Sequence, residues 1–206
     1  KDCPIRKSFE LSARTAGEEG LACGGVVEIF IEPLGSPVVH IFGAGHIARQ
    51  LVPLVELVGM KCVIVDDRPQ FADSEHFPPA SHVLVSDFED CFEKLSITPA
   101  SFIVIVTRGH KYDQLVLSKA VRTQAGYIGL IGSKPKIAGI YKTLREEGVT
   151  QEELDEIHAP IGIDIGSRTP EEIAISIAAE LIAHRRKAYL KGNNRRLGKA
   201  GRSTTY

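Results

Sequence analysis

Apolar and polar positions follow two rhythms along this chain, and the switch between them recurs. Val38-Val39-His40-Ile41-Phe42 is a short run rich in β-branched residues, and from Arg49 to Val58 apolar side chains return at helical spacing. The pattern predicts a strand, a tight turn at Gly43-Ala44-Gly45, and a helix from about His46 to Val58 that stops at Gly59. The same alternation predicts strands over Cys62–Asp66, His82–Val85, Phe102–Val106 and Tyr127–Ile131. Between them fall a short helix near Phe88–Lys94 and longer helices over about Tyr112–Gln124 and from Lys134 to Glu147. Phe102–Val106 is apolar at every position, as expected of a strand covered on both faces.

Two later helix starts carry their own chemistry. Thr150 with Glu153, and Thr169 with Glu172, match capping boxes, and Pro170 suits a first helical turn. The second box opens a long helix predicted from Pro170 to about Lys187, with Ile173, Ile177 and Leu181 on one face. Strands joined by helices predict an α/β fold, a doubly wound parallel sheet of Rossmann-like type over residues 37–190.

The two ends read differently. Val26–Glu32 alternates as a strand that Ile5–Leu11 could pair with, and the breakers Pro33-Leu34-Gly35-Ser36-Pro37 read as a linker. Two strands bury no core alone, so residues 1–36 are expected to belong to a small preceding domain, completed by upstream strands or by a second copy in a homodimer. Residues 191–206 are basic and without periodicity, and read as a flexible tail.

Charge and cysteine use narrow the function classes. Lys plus Arg total 25 against 26 for Asp plus Glu, so there is no basic excess to hold nucleic acid or an anionic membrane surface. No apolar run approaches the length of a bilayer span, and the opening residues do not read as a signal peptide. Cys3, Cys23, Cys62 and Cys91 form no Cys-x-x-Cys pair and are too few to staple 206 residues, which favours a reducing, cytoplasmic setting. Lys1 is not an initiator methionine, and the chain reads as a fragment or as one lacking its front portion.

In a doubly wound sheet, ligands sit outside the carboxyl ends of the strands, which turns separate loops into one candidate site. At Gly43-Ala44-Gly45-His46-Ile47-Ala48, Gly43 permits the reversal, Gly45 leaves room for a phosphate, and Ala48 allows close helix packing. His46 stands at the helix N-terminus, where it could donate to a phosphate or be an exposed first-turn residue. Asp66 is placed for a ribose, with Asp67 and Arg68 beside it. An arginine there suits a 2′-phosphate, so NAD and NADP both remain open. Thr107, Arg108, His110 and Asp113 crowd one strand end, and Gly132, Ser133 and Lys134, with Lys136, open another helix. Asp164, between Gly162 and Gly166, is either an accessible carboxylate or a turn former in a loop able to close over the site. Cys23, before Gly24-Gly25, is either an exposed thiolate or a small buried residue. No metal-ligand spacing and no nucleophile elbow occurs, so neither a catalytic residue nor a metal ligand is assigned.

Taken in order, these segments resemble the XdhC/CoxI family, accessory proteins of xanthine dehydrogenase and related molybdenum hydroxylases. The resemblance runs from Leu21 to about Lys187. It rests on Cys23-Gly24-Gly25, the Gly43–Ala48 turn, Val65-Asp66-Asp67-Arg68 with Phe71, Thr107-Arg108-Gly109-His110 with Asp113, Tyr127–Lys134, Pro160–Gly166 and Thr169–Ala174. It implies a cofactor-binding chaperone more than an enzyme. Such a protein holds molybdenum cofactor, as molybdopterin or its dinucleotide, while a cysteine desulfurase partner installs its terminal sulfur, and it assists insertion into the apo molybdenum hydroxylase. The chain lacks most of the family's N-terminal region. Two other functions use the same pocket: an NAD(P)-dependent oxidoreductase and a nucleotide-sensing module.

Overall fold

The computed structural model describes residues 5–11, 25–31, 37–77 and 82–194. The chain divides into two compact units, one of them Ser36–His184. In the other, β1 (Ile5–Leu11) and β2 (Gly25–Ile31) form an antiparallel pair running from Ile5 opposite Ile31 to Leu11 opposite Gly25. Phe9, Val26, Val27 and Ile29 are exposed on it.

Ser36–His184 is built on a five-stranded parallel sheet of β3 (Val38–Phe42), β4 (Lys61–Asp66), β5 (His82–Val85), β6 (Ser101–Ile105) and β7 (Tyr127–Leu130). Their spatial order is β5-β4-β3-β6-β7, so the sheet is wound outwards from β3 in both directions. Helix α1 (His46–Leu57) connects β3 to β4 and α2 (His110–Ala120) connects β6 to β7, while α3 (Lys134–Glu146), the short α4 (Gln151–Asp155) and α5 (Pro170–Asn194) follow β7. This is the expected Rossmann-like architecture.

The strands are apolar on both sides because both faces are covered. On one face Val39, Ile41, Ile64 and Val104 pack against Leu51, Val52 and Val55 of α1 and Ile177 and Leu181 of α5. On the other, Phe42, Val65, Ile103 and Ile105 meet Val116 and Leu117 of α2, Ile140 and Leu144 of α3, and Leu154 of α4. Burying a side chain of this size contributes roughly 1.5–3 kcal/mol, so these two layers supply most of the drive to fold. Past β7 the chain returns along its edge: His158 N–H donates to Ile128 O, Leu130 N–H to His158 O, and Ile161 N–H to Leu130 O.

Element boundaries depart from the sequence reading where helices end. Gly59 stops α1 with φ of +76°, and both capping boxes form. The helix expected near Phe88–Lys94 is only a 3₁₀ turn at Cys91–Lys94. Helix α2 starts two residues earlier and ends earlier than predicted, at Ala120. Helix α5 continues to Asn194, past Lys187 and into the stretch read as a tail, whose remaining residues lie outside those described. Among the described residues, no helix is long and apolar enough to cross a membrane.

One polar residue is out of place. His40, in the middle of β3, is 2% exposed, and neither ring nitrogen has a hydrogen-bond partner among the described residues. Burial pushes its imidazole down to about 4 from the ordinary 6.5. Between those values the unfolded chain binds a proton at His40 that the folded chain does not, so stability falls as pH drops through that window. We expect His40→Leu to remove about 1–2 kcal/mol of the stability loss between about pH 7 and pH 5, read from urea midpoints. Identical pH dependence in the two proteins would clear His40 of this role.

Candidate anion site at the carboxyl edge of the sheet

Strand β3 ends against its neighbour so closely that only glycine fits. Gly43 has φ of +110°, and a Cβ there would sit 2.5 Å from Val106 O; its N–H donates to Val65 O at 2.8 Å. Gly45 differs: its backbone is extended (φ −81°, ψ −168°), and a Cβ would meet no heavy atom within 4 Å. Gly43 is required by the fold, whereas the space above Gly45 is open to a ligand. Ala48 is fully buried, as close packing of α1 on the sheet demands.

The acidic end of β4 closes onto this turn. Asp66 is 1% exposed. Its carboxylate accepts the Ala44 N–H at 2.8 Å, the Arg68 N–H at 3.0 Å, and the Arg68 guanidinium at 2.9 Å from Nε and 3.0 Å from Nη2. Four donors occupy both oxygens, so Asp66 here holds the turn and Arg68 instead of offering a free edge to a ribose. Asp67 takes the fork of Arg108 on both oxygens, with Nη2 2.7 Å from Oδ2. That pair holds the Asp67 carboxyl below, and the Arg108 guanidinium above, their usual ranges. The Arg68 guanidinium lies 3.8 Å from the Phe71 ring centre, and that of Arg108 lies 4.3 Å from the Tyr112 ring.

A second charged group lies beside the first. Asp113, fully buried, accepts from the Thr107 hydroxyl at 2.6 Å and from the Lys136 ammonium. Thr107 therefore orients a carboxylate, and Lys136 is engaged within the fold. The remaining expected residues lie on the same edge without joining these groups. His46 and Lys134 are exposed, and no hydrogen bond or ion pair of their side chains is found among the described residues. The His110 ring turns towards α3, its Nε2 3.7 Å from where a Gly139 Cβ would stand. Ser133 caps α3 through its backbone, and Gly132 packs against the Lys136 stem. Asp164 is exposed and accepts the Gly166 N–H at 3.3 Å, which is the turn-forming alternative. Cys23 lies outside the described residues. Burial raises the thiols of Cys62 and Cys91 to about 12 and about 11, which leaves them inert.

Sequence reasoning missed Arg49. It stands in the first turn of α1, which contains no acidic residue, and its guanidinium approaches the Phe71 ring that also carries Arg68. No ion pair or hydrogen bond to its side chain is found among the described residues, and its Nε is buried. The signal was a cation where helix starts usually carry acid. Arg49, Arg68 and Arg108 thus stand with two carboxylates at the mouth of a glycine turn, leaving one positive charge in excess. Also missed was Glu180, whose carboxylate joins the His158 ring to the Gly162 N–H and pins the start of the Gly162–Arg168 loop. A separate cavity of about 190 Å³ opens beside Tyr127, at the amino end of β7, with Glu153 and Glu156 in its lining.

The XdhC Rossmann domain, as a sequence family, matches residues 39–181. The chain is 34% identical over 165 residues to the uncharacterized protein YqeB of Escherichia coli (strain K12), covering 79% of this chain and 30% of YqeB. It is 28% identical over 157 residues to a probable xanthine dehydrogenase subunit of Bacillus subtilis (strain 168), covering 76% of this chain and 45% of that protein. A crystal structure of a xanthine dehydrogenase from Bacillus halodurans superposes with a TM-score of 0.67 at 30% identity, over 84% of this chain and 48% of the other. The chain therefore spans less than half the length of each.

The two glycines should respond differently to substitution. Gly43→Val is expected to cost roughly 3 kcal/mol or more, from positive φ and a backbone clash, whereas Gly45→Val should cost about 1 kcal/mol or less as a poorer N-cap. Chemical denaturation measures both, and equal losses would contradict the separate roles assigned to them.

Proposed function

The chain belongs to the XdhC family, and from that premise we propose that it binds molybdenum cofactor and serves as an accessory factor for a xanthine dehydrogenase-type molybdenum hydroxylase. The cofactor is cargo, a pterin phosphate or its dinucleotide. The observation that carries the reading is the open space above Gly45, next to three arginines that outnumber their carboxylates. Backbone N–H groups at the start of α1 would face the phosphate, and the guanidiniums would neutralise it. The bound cofactor would supply the metal-centred chemistry to its eventual enzyme, while this chain's residues hold and orient it.

Sulfuration by a cysteine desulfurase partner and handover to the apo-hydroxylase belong to the same proposal, as does a thiolate role for Cys23. The alternative occupant is a dinucleotide such as NADP, favoured by the same glycine turn. Against a plain NAD site stands Asp66, which is buried and shared among four donors.

The deciding experiment identifies the small molecule that co-purifies with the chain from a host able to make molybdenum cofactor, by mass spectrometry and metal analysis. We expect a molybdopterin oxidation product with near-stoichiometric molybdenum, and its loss in Gly45→Val. NAD or NADP without molybdenum would overturn the carrier reading in favour of an oxidoreductase or a nucleotide sensor.

A further inference from the structure

Strand β3 lies between β4 and β6 in the sheet. Asp67 follows the end of β4, and Arg108 follows the end of β6, so their ion pair spans the carboxyl end of the strand between them. This is where the winding direction of the sheet reverses and where the Gly43–Gly45 turn begins. A bidentate salt bridge therefore crosses the crevice in which a doubly wound sheet receives its ligand.

The two carboxylates at this crossing are not equivalent. Asp66 is 1% exposed and accepts two backbone N–H groups as well as Arg68, so releasing it would orphan donors inside the fold. Asp67 takes the Arg108 fork on both oxygens, with Arg68 Nε further off at 4.0 Å. Both sides of that pair reach solvent: the Asp67 side chain is 15% exposed and that of Arg108 32%. Arg108 stays supported when Asp67 leaves, because its Nη2 also donates to the Tyr112 hydroxyl at 2.8 Å.

We propose that Asp67 is a placeholder for the ligand's anion: it occupies the Arg108 fork across the end of β3 in the free protein, and a phosphate-bearing ligand takes its place there. The exchange trades one oxyanion for another on the same donors, so no buried cation is left unpaired at any stage. It makes affinity depend on phosphate charge, because the incoming group must outcompete a carboxylate. Asp67 is thus a specificity-determining residue that disfavours neutral and weakly charged ligands. The inference rests on the reading of this edge as a phosphate-ligand site and adds how that site selects its ligand.

Calorimetric titration of the whole chain with inorganic pyrophosphate at low ionic strength tests it. D67N keeps the shape of the side chain and removes the competing charge. It should bind pyrophosphate about threefold to fivefold more tightly than the parent, as expected for freeing a partly exposed pair. R108Q should lose about tenfold or more, and the double variant should bind as weakly as R108Q, because Asp67 acts through Arg108. A tightening by D67N that persists in the R108Q background would be a general charge effect and would overturn the proposal. So would weaker or unchanged binding by D67N, which would make Asp67 a support for Arg108. If the parent binds pyrophosphate, Gly45→Val abolishes that binding and D67N fails to tighten it, the placeholder fails while the anion site stands. If neither the parent nor D67N binds pyrophosphate, both fall.

Discussion

A buried carboxylate that must be satisfied governs the geometry of this carboxyl edge. Asp66 sits at the end of an apolar strand with almost no access to water, and an isolated charge in such a place is prohibitively expensive. Its four donors come from the glycine turn, its own loop and the Arg68 guanidinium. Meeting that requirement fixes the path of Gly43–Gly45, the direction of the loop after β4, and the plane of Arg68 over Phe71. Removing one partner of such a buried charge typically costs about 3–5 kcal/mol, so these bonds hold the turn and the loop after β4 in place.

From that anchor, charge spreads outwards in order of exposure. Asp113 repeats the device one strand further on, with Thr107 and Lys136 in place of backbone and arginine. Asp67 and Arg108 form the outermost pair, both partly exposed to solvent. Arg49 adds a further cation beside the helix N-terminus. The edge is therefore tightly bonded where it meets the core and more open where it meets solvent. Glu180, on α5, anchors the start of the Gly162–Arg168 loop.

Much of this architecture was readable in the residues because it depends on local rules. Switches between strand and helix periodicity, two capping boxes and a Gly-x-Gly turn predicted the elements, the parallel sheet and the edge on which a ligand would sit. The ends of helices were read less well. The 3₁₀ turn at Cys91–Lys94 and the extension of α5 to Asn194 depend on what packs against those segments, which propensity does not encode.

The sequence by itself determined which residues gather at the carboxyl edge, because a parallel α/β order sends every strand end to the same side. Only the tertiary structure decided what each does there. Asp66 and Asp67 are neighbours of identical chemistry, yet one is buried and shared among four donors while the other is partly exposed and takes the fork of Arg108. Lys134 and Lys136 differ as sharply, one exposed and one committed to Asp113. Gly43 and Gly45 look alike in the motif, but a carbonyl lies 2.5 Å from one missing Cβ and open space from the other. Burial and partner geometry are long-range quantities, set when segments distant in the chain are brought together, so no local pattern can carry them.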